Sequence, residues 1–183
     1  MKRLTLLRHA KSDWGDPGGR DFDRPLNRRG ARAARAMGRE MRALGLGFDA
    51  VIASPAARVV ETLEGLADGY GRALHPVCDP RLYLAPLSLL LDLVHETDDS
   101  IGRLLIVGHN PGCAMLAMAL AGAGDEGLRA RLVEAYPTGA LASIDLPVAR
   151  WRDAGPGDGA LTRFLRPRDL DGRADADEDQ TSS

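Results

Sequence analysis

Leu4-Thr5-Leu6-Leu7-Arg8-His9-Ala10-Lys11-Ser12 is a short apolar run that ends in a permanent cation and an imidazole. Read as a strand buried on both faces, it delivers Arg8 and His9 to its carboxyl end. In open α/β sheets that edge is where ligands gather. The stretch therefore predicts both a parallel sheet and a reaction centre at its edge.

Working outward, the same pattern recurs twice. Ala50-Val51-Ile52-Ala53 is a second short strand, followed at once by Ser54-Pro55-Ala56-Ala57-Arg58. Ser54 reads as an N-cap and Pro55 as a first helical residue, which puts Arg58 in or just past the first turn of a helix running toward Gly69. Arg103-Leu104-Leu105-Ile106-Val107-Gly108 is the third strand, and His109-Asn110-Pro111-Gly112 follows it. There Asn110 reads as the cap and Pro111 as the first residue of an apolar helix through Met115, Leu116, Met118 and Leu120 to Gly122. Three strand ends thus present Arg8 with His9, Arg58, and His109.

Between these junctions the chain supplies connectors and helices. Ser12 to Leu26 is rich in Asp, Gly and Pro and reads as a loop over the first strand end, either functional or a solvated connector. Asn27 caps a helix to about Leu44 that stops at Gly45 or Gly47. Ala34, Met37, Met41 and Leu44 form its buried stripe, and Arg28, Arg32, Arg35, Arg39 and Arg42 line the opposite side. That basic stripe reads as a solvated face, with docking of an acidic protein as the alternative. Ala73 to Val77 is expected as a short strand, and Pro86 to His95 as a helix packed through Leu87, Leu90, Leu91 and Val94. Thr138 to Leu146 and Ala160 to Leu165 read as an antiparallel pair added to the sheet. From Asp171 onward one arginine faces five carboxylates, with no apolar residue larger than alanine, so 171–183 reads as a disordered acidic tail.

Composition narrows the partners. The chain has 183 residues, 44% hydrophobic and 27% charged, enough for one core and small for two. A formal charge of -2 gives no global attraction to nucleic acid or an anionic membrane. Cys78 and Cys113 form no paired spacing, no apolar run is long enough to span a membrane, and a cytoplasmic setting is expected. His9, His75, His95 and His109 have no metal-ligand spacing, so neither metal nor other cofactor is expected. His75 and His95 read as structural or surface residues.

Two arginines and two histidines suit a tetrahedral dianion, because guanidinium binds phosphate in a planar fork and imidazole can attack phosphorus. L-L-R-H-A-K-S-D-W, S-P-A-A-R-V-V-E-T and I-V-G-H-N-P-G, together with D-F-D-R-P-L-N-R-R-G and F-L-R-P-R-D-L, resemble the histidine phosphatase superfamily, or phosphoglycerate mutase-like fold. The resemblance spans residues 1–170 and is strongest to the small SixA-type phosphohistidine phosphatases. It implies a three-layer α/β/α sandwich with a mostly parallel central sheet. It also implies that His9 is the nucleophile, that Arg8 and Arg58 hold the phosphoryl oxygens, and that His109 donates a hydrogen bond to them.

Larger members of that family carry a glutamate acid after the second arginine, whereas this chain reads Asp79-Pro80-Arg81-Leu82-Tyr83-Leu84-Ala85. The missing acid favours a basic leaving nitrogen, hence phosphohistidine on a protein such as a phosphotransfer domain. A general small-molecule phosphomonoesterase and a non-catalytic phosphate-binding or docking module are the alternatives. Asp13 is the candidate substitute acid or water-positioning group, or else a carboxylate that caps or pairs within its loop. Glu61 and Glu64 read as orienting or surface groups.

Overall fold

The computed structural model describes residues 1–14 and 18–170; the acidic tail and the middle of the Ser12–Leu26 loop lie outside them. In chain order the elements are β1 (Lys2–Arg8), α1 (Arg28–Ala43), β2 (Ala50–Ala53), α2 (Ala57–Tyr70), β3 (Pro76–Cys78), α3 (Leu87–His95), β4 (Arg103–Gly108), α4 (Gly112–Leu120), β5 (Ala121–Gly124), α5 (Glu126–Glu134), β6 (Leu141–Leu146) and β7 (Gly159–Leu165). The strands form one sheet in the order β3-β2-β4-β1-β6-β7-β5. β1, β2, β3 and β4 run parallel, β6 lies antiparallel to β1 and β7, and β5 is parallel to β7.

Each face of the sheet has its own core. Leu4, Leu6, Leu104 and Ile106 pack with Leu90, Leu93 and Val94 of α3, Leu116 and Leu120 of α4, and Leu132 of α5. Leu7, Leu105, Val107 and Val51 pack with Met37 and Met41 of α1 and with Val59, Leu63 and Leu66 of α2. Alternate side chains of β1 and β4 therefore feed opposite layers, which is why both strands read as largely apolar runs. The three layers are those expected.

Several boundaries differ from the sequence reading. α2 begins at Ala57 with Ala56 at the cap position, and the Ser54 hydroxyl is shared between the Ala56 N–H at 3.4 Å and His109 at 2.8 Å. α4 begins at Gly112, because the Asn110 amide donates to the Tyr136 carbonyl instead of capping the helix, and the Asn110–Pro111 peptide is cis. α4 stops at Leu120, and Ala121–Gly124 pairs with β7 as a strand. β3 is shifted to Pro76–Cys78, and α5, capped by Asp125, was not foreseen. On α3, Leu90, Leu93 and Val94 are the buried residues, with Leu87 and Leu91 packed partly against them. α1 is as expected, with the Asn27 side chain accepting from the Gly30 N–H.

Candidate active site

The parallel strands end at one edge and bring their following residues together. Arg8 pairs with Gly108 in register, and Ala53 with Val107. The His9 N–H donates to the Gly108 carbonyl at 3.0 Å, and the Ser54 N–H to that of Val107 at 3.1 Å. His9, Ser54 and His109 are consequently neighbours, and Arg58 reaches them from the first turn of α2. All four are buried.

The hydrogen bonds assign the imidazole tautomers. His9 Nδ1 lies 2.7 Å from the Ala10 carbonyl, which can only accept, so Nδ1 carries the proton. Nε2 is left unprotonated, and its lone pair accepts from Arg58 Nε at 3.3 Å. Burial, followed by the charges of Arg58, Arg8 and Arg24, pushes the His9 pKa down to about 4, against the Ala10 hydrogen bond. At neutral pH His9 is therefore uncharged, with Nε2 unprotonated. His109 Nδ1 lies 3.3 Å from Arg58 Nη2, and its Nε2–H donates to Ser54 Oγ at 2.8 Å. Burial first, then Arg58 and His9, pushes His109 down to about 3.

Arg58 is held by a carboxylate from the loop. Its Nη1 donates to the Asp21 carbonyl at 2.6 Å and its Nη2 to Asp21 Oδ2 at 2.9 Å. The Tyr83 hydroxyl donates to the same oxygen at 2.6 Å, while its ring stands edge-on to His109. The Tyr83 hydrogen bond and then Arg58 hold Asp21 below the usual carboxylate range, so it is ionised. Leu84, at the rim, has a φ of 51°, an unfavourable conformation for a branched side chain.

The pocket is rich in unanswered donors. Among the described residues six buried side-chain nitrogen or oxygen atoms lack a partner, and four of them belong to its walls: Arg8 Nε, Arg24 Nε, Arg24 Nη1 and Asn110 Oδ1. Buried donors are ordinarily satisfied, so three idle guanidinium N–H groups around one cavity of about 370 Å³ mark a place for an anion with several acceptor oxygens. Arg8 is fixed by its Nη1 on the Tyr136 carbonyl at 2.9 Å, and Arg24 by its guanidinium 3.7 Å above the Trp14 ring.

Arg8, His9, Arg58 and His109 thus share one pocket. Asp13 does not line it: the residue is exposed, and its Oδ1 accepts from the Trp14 N–H at 2.7 Å. Asp21, Arg24, Tyr83 and the Ser54 hydroxyl join the site without having been singled out by the sequence reading; the D-F-D-R motif was the available signal for the first two. Glu61 orients, accepting from the Leu26 N–H at 2.7 Å. His75 is exposed, and His95 bonds the Ala154 carbonyl. Among the described residues no group of three or more His, Cys, Asp or Glu is placed to hold a metal ion, and no helix is long and apolar enough to cross a membrane.

Comparison with known proteins agrees with this geometry. Residues 4–83 match the model of the histidine phosphatase superfamily, branch 1. An uncharacterised protein of Mycobacterium tuberculosis is 36% identical over 165 residues, covering 88% of this chain and all of the relative. The structure of a candidate phosphohistidine phosphatase SixA from Agrobacterium tumefaciens superposes with a TM-score of 0.76 at 30% identity, covering 91% of this chain and 98% of the other. A second SixA candidate, from Nakamurella multipartitia, gives 0.78 at 26% identity over 91% and 96% of the two chains. An uncharged histidine beside buried guanidinium groups, on a fold shared with these proteins, goes with the sequence and structural matches, which place the chain in the SixA-type branch of the histidine phosphatase superfamily, as a phosphatase.

Proposed function

We propose that residues 1–170 form one catalytic domain that hydrolyses protein phosphohistidine through a phosphorylated His9, without a metal ion. What carries the reading is the unprotonated Nε2 of His9, set beside Arg8, Arg24 and Arg58, two of which have unpartnered buried N–H groups. In the first step Nε2 attacks phosphorus in line, the bond from phosphorus to the substrate nitrogen breaks, and the substrate imidazole, already protonated on its other nitrogen, takes the bonding pair and leaves as the neutral ring. Water then attacks phospho-His9, the N–P bond breaks, and inorganic phosphate departs. Both transition states are loose, so catalysis is mainly positioning and charge stabilisation by the arginines.

The His109 geometry suggests a further detail. Nε2–H is committed to Ser54 and Nδ1 accepts from Arg58 Nη2 at 3.3 Å, so the neutral His109 ring holds no proton free for a leaving group. Phosphohistidine is favoured because the pocket offers no ready acid. Asp21 is the carboxylate at the centre and is kept ionised by Tyr83 and Arg58, while the Asp79 carboxylate is tied to Arg81. A leaving imidazole is basic enough to be protonated before cleavage; an alkoxide needs a positioned donor. The SixA neighbours support the same substrate class.

The test is steady-state hydrolysis of a chromogenic aryl phosphate and of a phosphohistidine peptide in EDTA, with His9→Ala alongside. Expected are retained activity in EDTA, loss with His9→Ala, and a higher kcat/KM for the peptide. Strong EDTA inhibition contradicts the metal-free mechanism. Faster turnover of esters makes the protein a general phosphomonoesterase, and no His9-dependent release leaves a binding module.

A further inference from the structure

Beside the catalytic pocket runs a second groove of about 280 Å³, and the two share Lys11 and Thr138 as a common wall. Its polar lining is one-signed: Lys11, Arg29, Arg166 and Arg168 contribute cations, and no carboxylate residue lines it. Pro137 and Pro167 give it part of an apolar floor.

The groove's charges are only partly neutralised. Lys11 and Arg29 make no ion pair with any described residue, and Arg168 has only Glu134 at 3.9 Å. Arg166 is 7% exposed and is clamped by Asp169, which takes its Nε at 3.2 Å and its Nη2 at 3.1 Å. That clamp leaves Arg166 Nη1 buried without a hydrogen bond, the Glu134 carboxylate being 3.5 Å away. A buried guanidinium held rigid by Asp169, with one nitrogen short of a hydrogen bond and three more cations around it, suits an acidic side chain. The F-L-R-P-R-D-L motif, which the catalytic chemistry does not use, supplies half of those cations.

We infer that this groove binds acidic side chains of the phosphoprotein substrate, flanking the phosphohistidine whose phosphoryl group sits on His9. The inference rests on the substrate reading above and deepens it. The shared wall makes the geometry continuous: a chain whose phosphoryl group occupies the arginine pocket passes Lys11 directly into the groove. The apolar floor suits the aliphatic part of a glutamate and a peptide backbone better than a bare inorganic ion. The groove is thus a selector for substrates by local charge, acting on binding and not on the chemical step.

Two phosphohistidine peptides of equal length, one flanked by glutamates and one by glutamines, test this together with an aryl phosphate. The variant is Arg29→Glu/Arg168→Glu, both exposed positions outside the catalytic pocket. Wild-type protein should prefer the glutamate peptide by about fivefold in kcat/KM, mostly through KM, as two modest ion pairs allow. The double variant should lose or invert that preference while turning over the aryl phosphate as before. No preference in the wild type, or a preference that survives in the variant, overturns the inference while leaving the substrate reading intact. Equal loss on all three substrates shows that the variant damages the catalytic pocket, and it also overturns the selector role. Wild-type protein that hydrolyses the aryl phosphate and neither peptide overturns the substrate reading itself.

Discussion

At the scale of single residues, the site is paid for in stability by two imidazoles that the fold keeps neutral. The native pocket holds His9 at about 4 and His109 at about 3, whereas the unfolded chain binds these protons near 6.5. Between those values the unfolded state carries more protons than the native state, so stability rises with pH through this window and is lost as the pH falls. Urea unfolding of wild type should show a falling midpoint from about pH 6.5 toward pH 4.5. A His9→Gln/His109→Gln protein should be nearly level over that range. Parallel curves for the two would mean that the buried pair is not responsible. The same two residues were legible in the sequence, because each directly follows an apolar strand. Asp21 and Arg24 were not, since a polar loop carries no periodicity to say which of its charges turns inward. Only the folded loop shows Asp21 on Arg58 and Arg24 on Trp14.

At the scale of elements, the reactive groups are fixed by close packing of α2 against α1. A Cβ on Gly38 of α1 would stand 2.2 Å from the Leu66 carbonyl oxygen of α2, and one on Gly69 of α2 would stand 2.0 Å from the Arg35 carbonyl oxygen. Gly38→Ala should therefore destabilise by about 2 kcal/mol, the overpacking cost exceeding the roughly 1 kcal/mol gained in helix propensity. Thermal unfolding checks this: a raised Tm would show that the helices part without penalty. The strands β1, β2 and β4 and helix α1 were legible because apolar runs and the Asn27 cap act locally. The starts of α2 and α4 were not: the Ser54 and Asn110 side chains also meet tertiary partners, His109 and the Tyr136 carbonyl. β5 was hidden for another reason: Ala-Gly-Ala-Gly has no strand signature of its own and is a strand only by pairing with β7.

At the scale of the molecule, a chain with net charge -2 concentrates buried guanidinium N–H groups without hydrogen-bond partners around one edge of its sheet. Three parallel strands deliver the candidate pocket there, and the Lys11 wall extends it into the basic groove. The exposed arginine stripe of α1 is a separate, solvated face, with Arg35 already paired to Asp68. The central claim is that phosphate leaves by two successive displacements, first onto His9 and then onto water. The stereochemical course at phosphorus, followed with an isotopically chiral thiophosphate substrate, tests it most directly. Each in-line displacement inverts the configuration, so the account predicts overall retention; overall inversion would mean that water attacks the substrate directly and would contradict it.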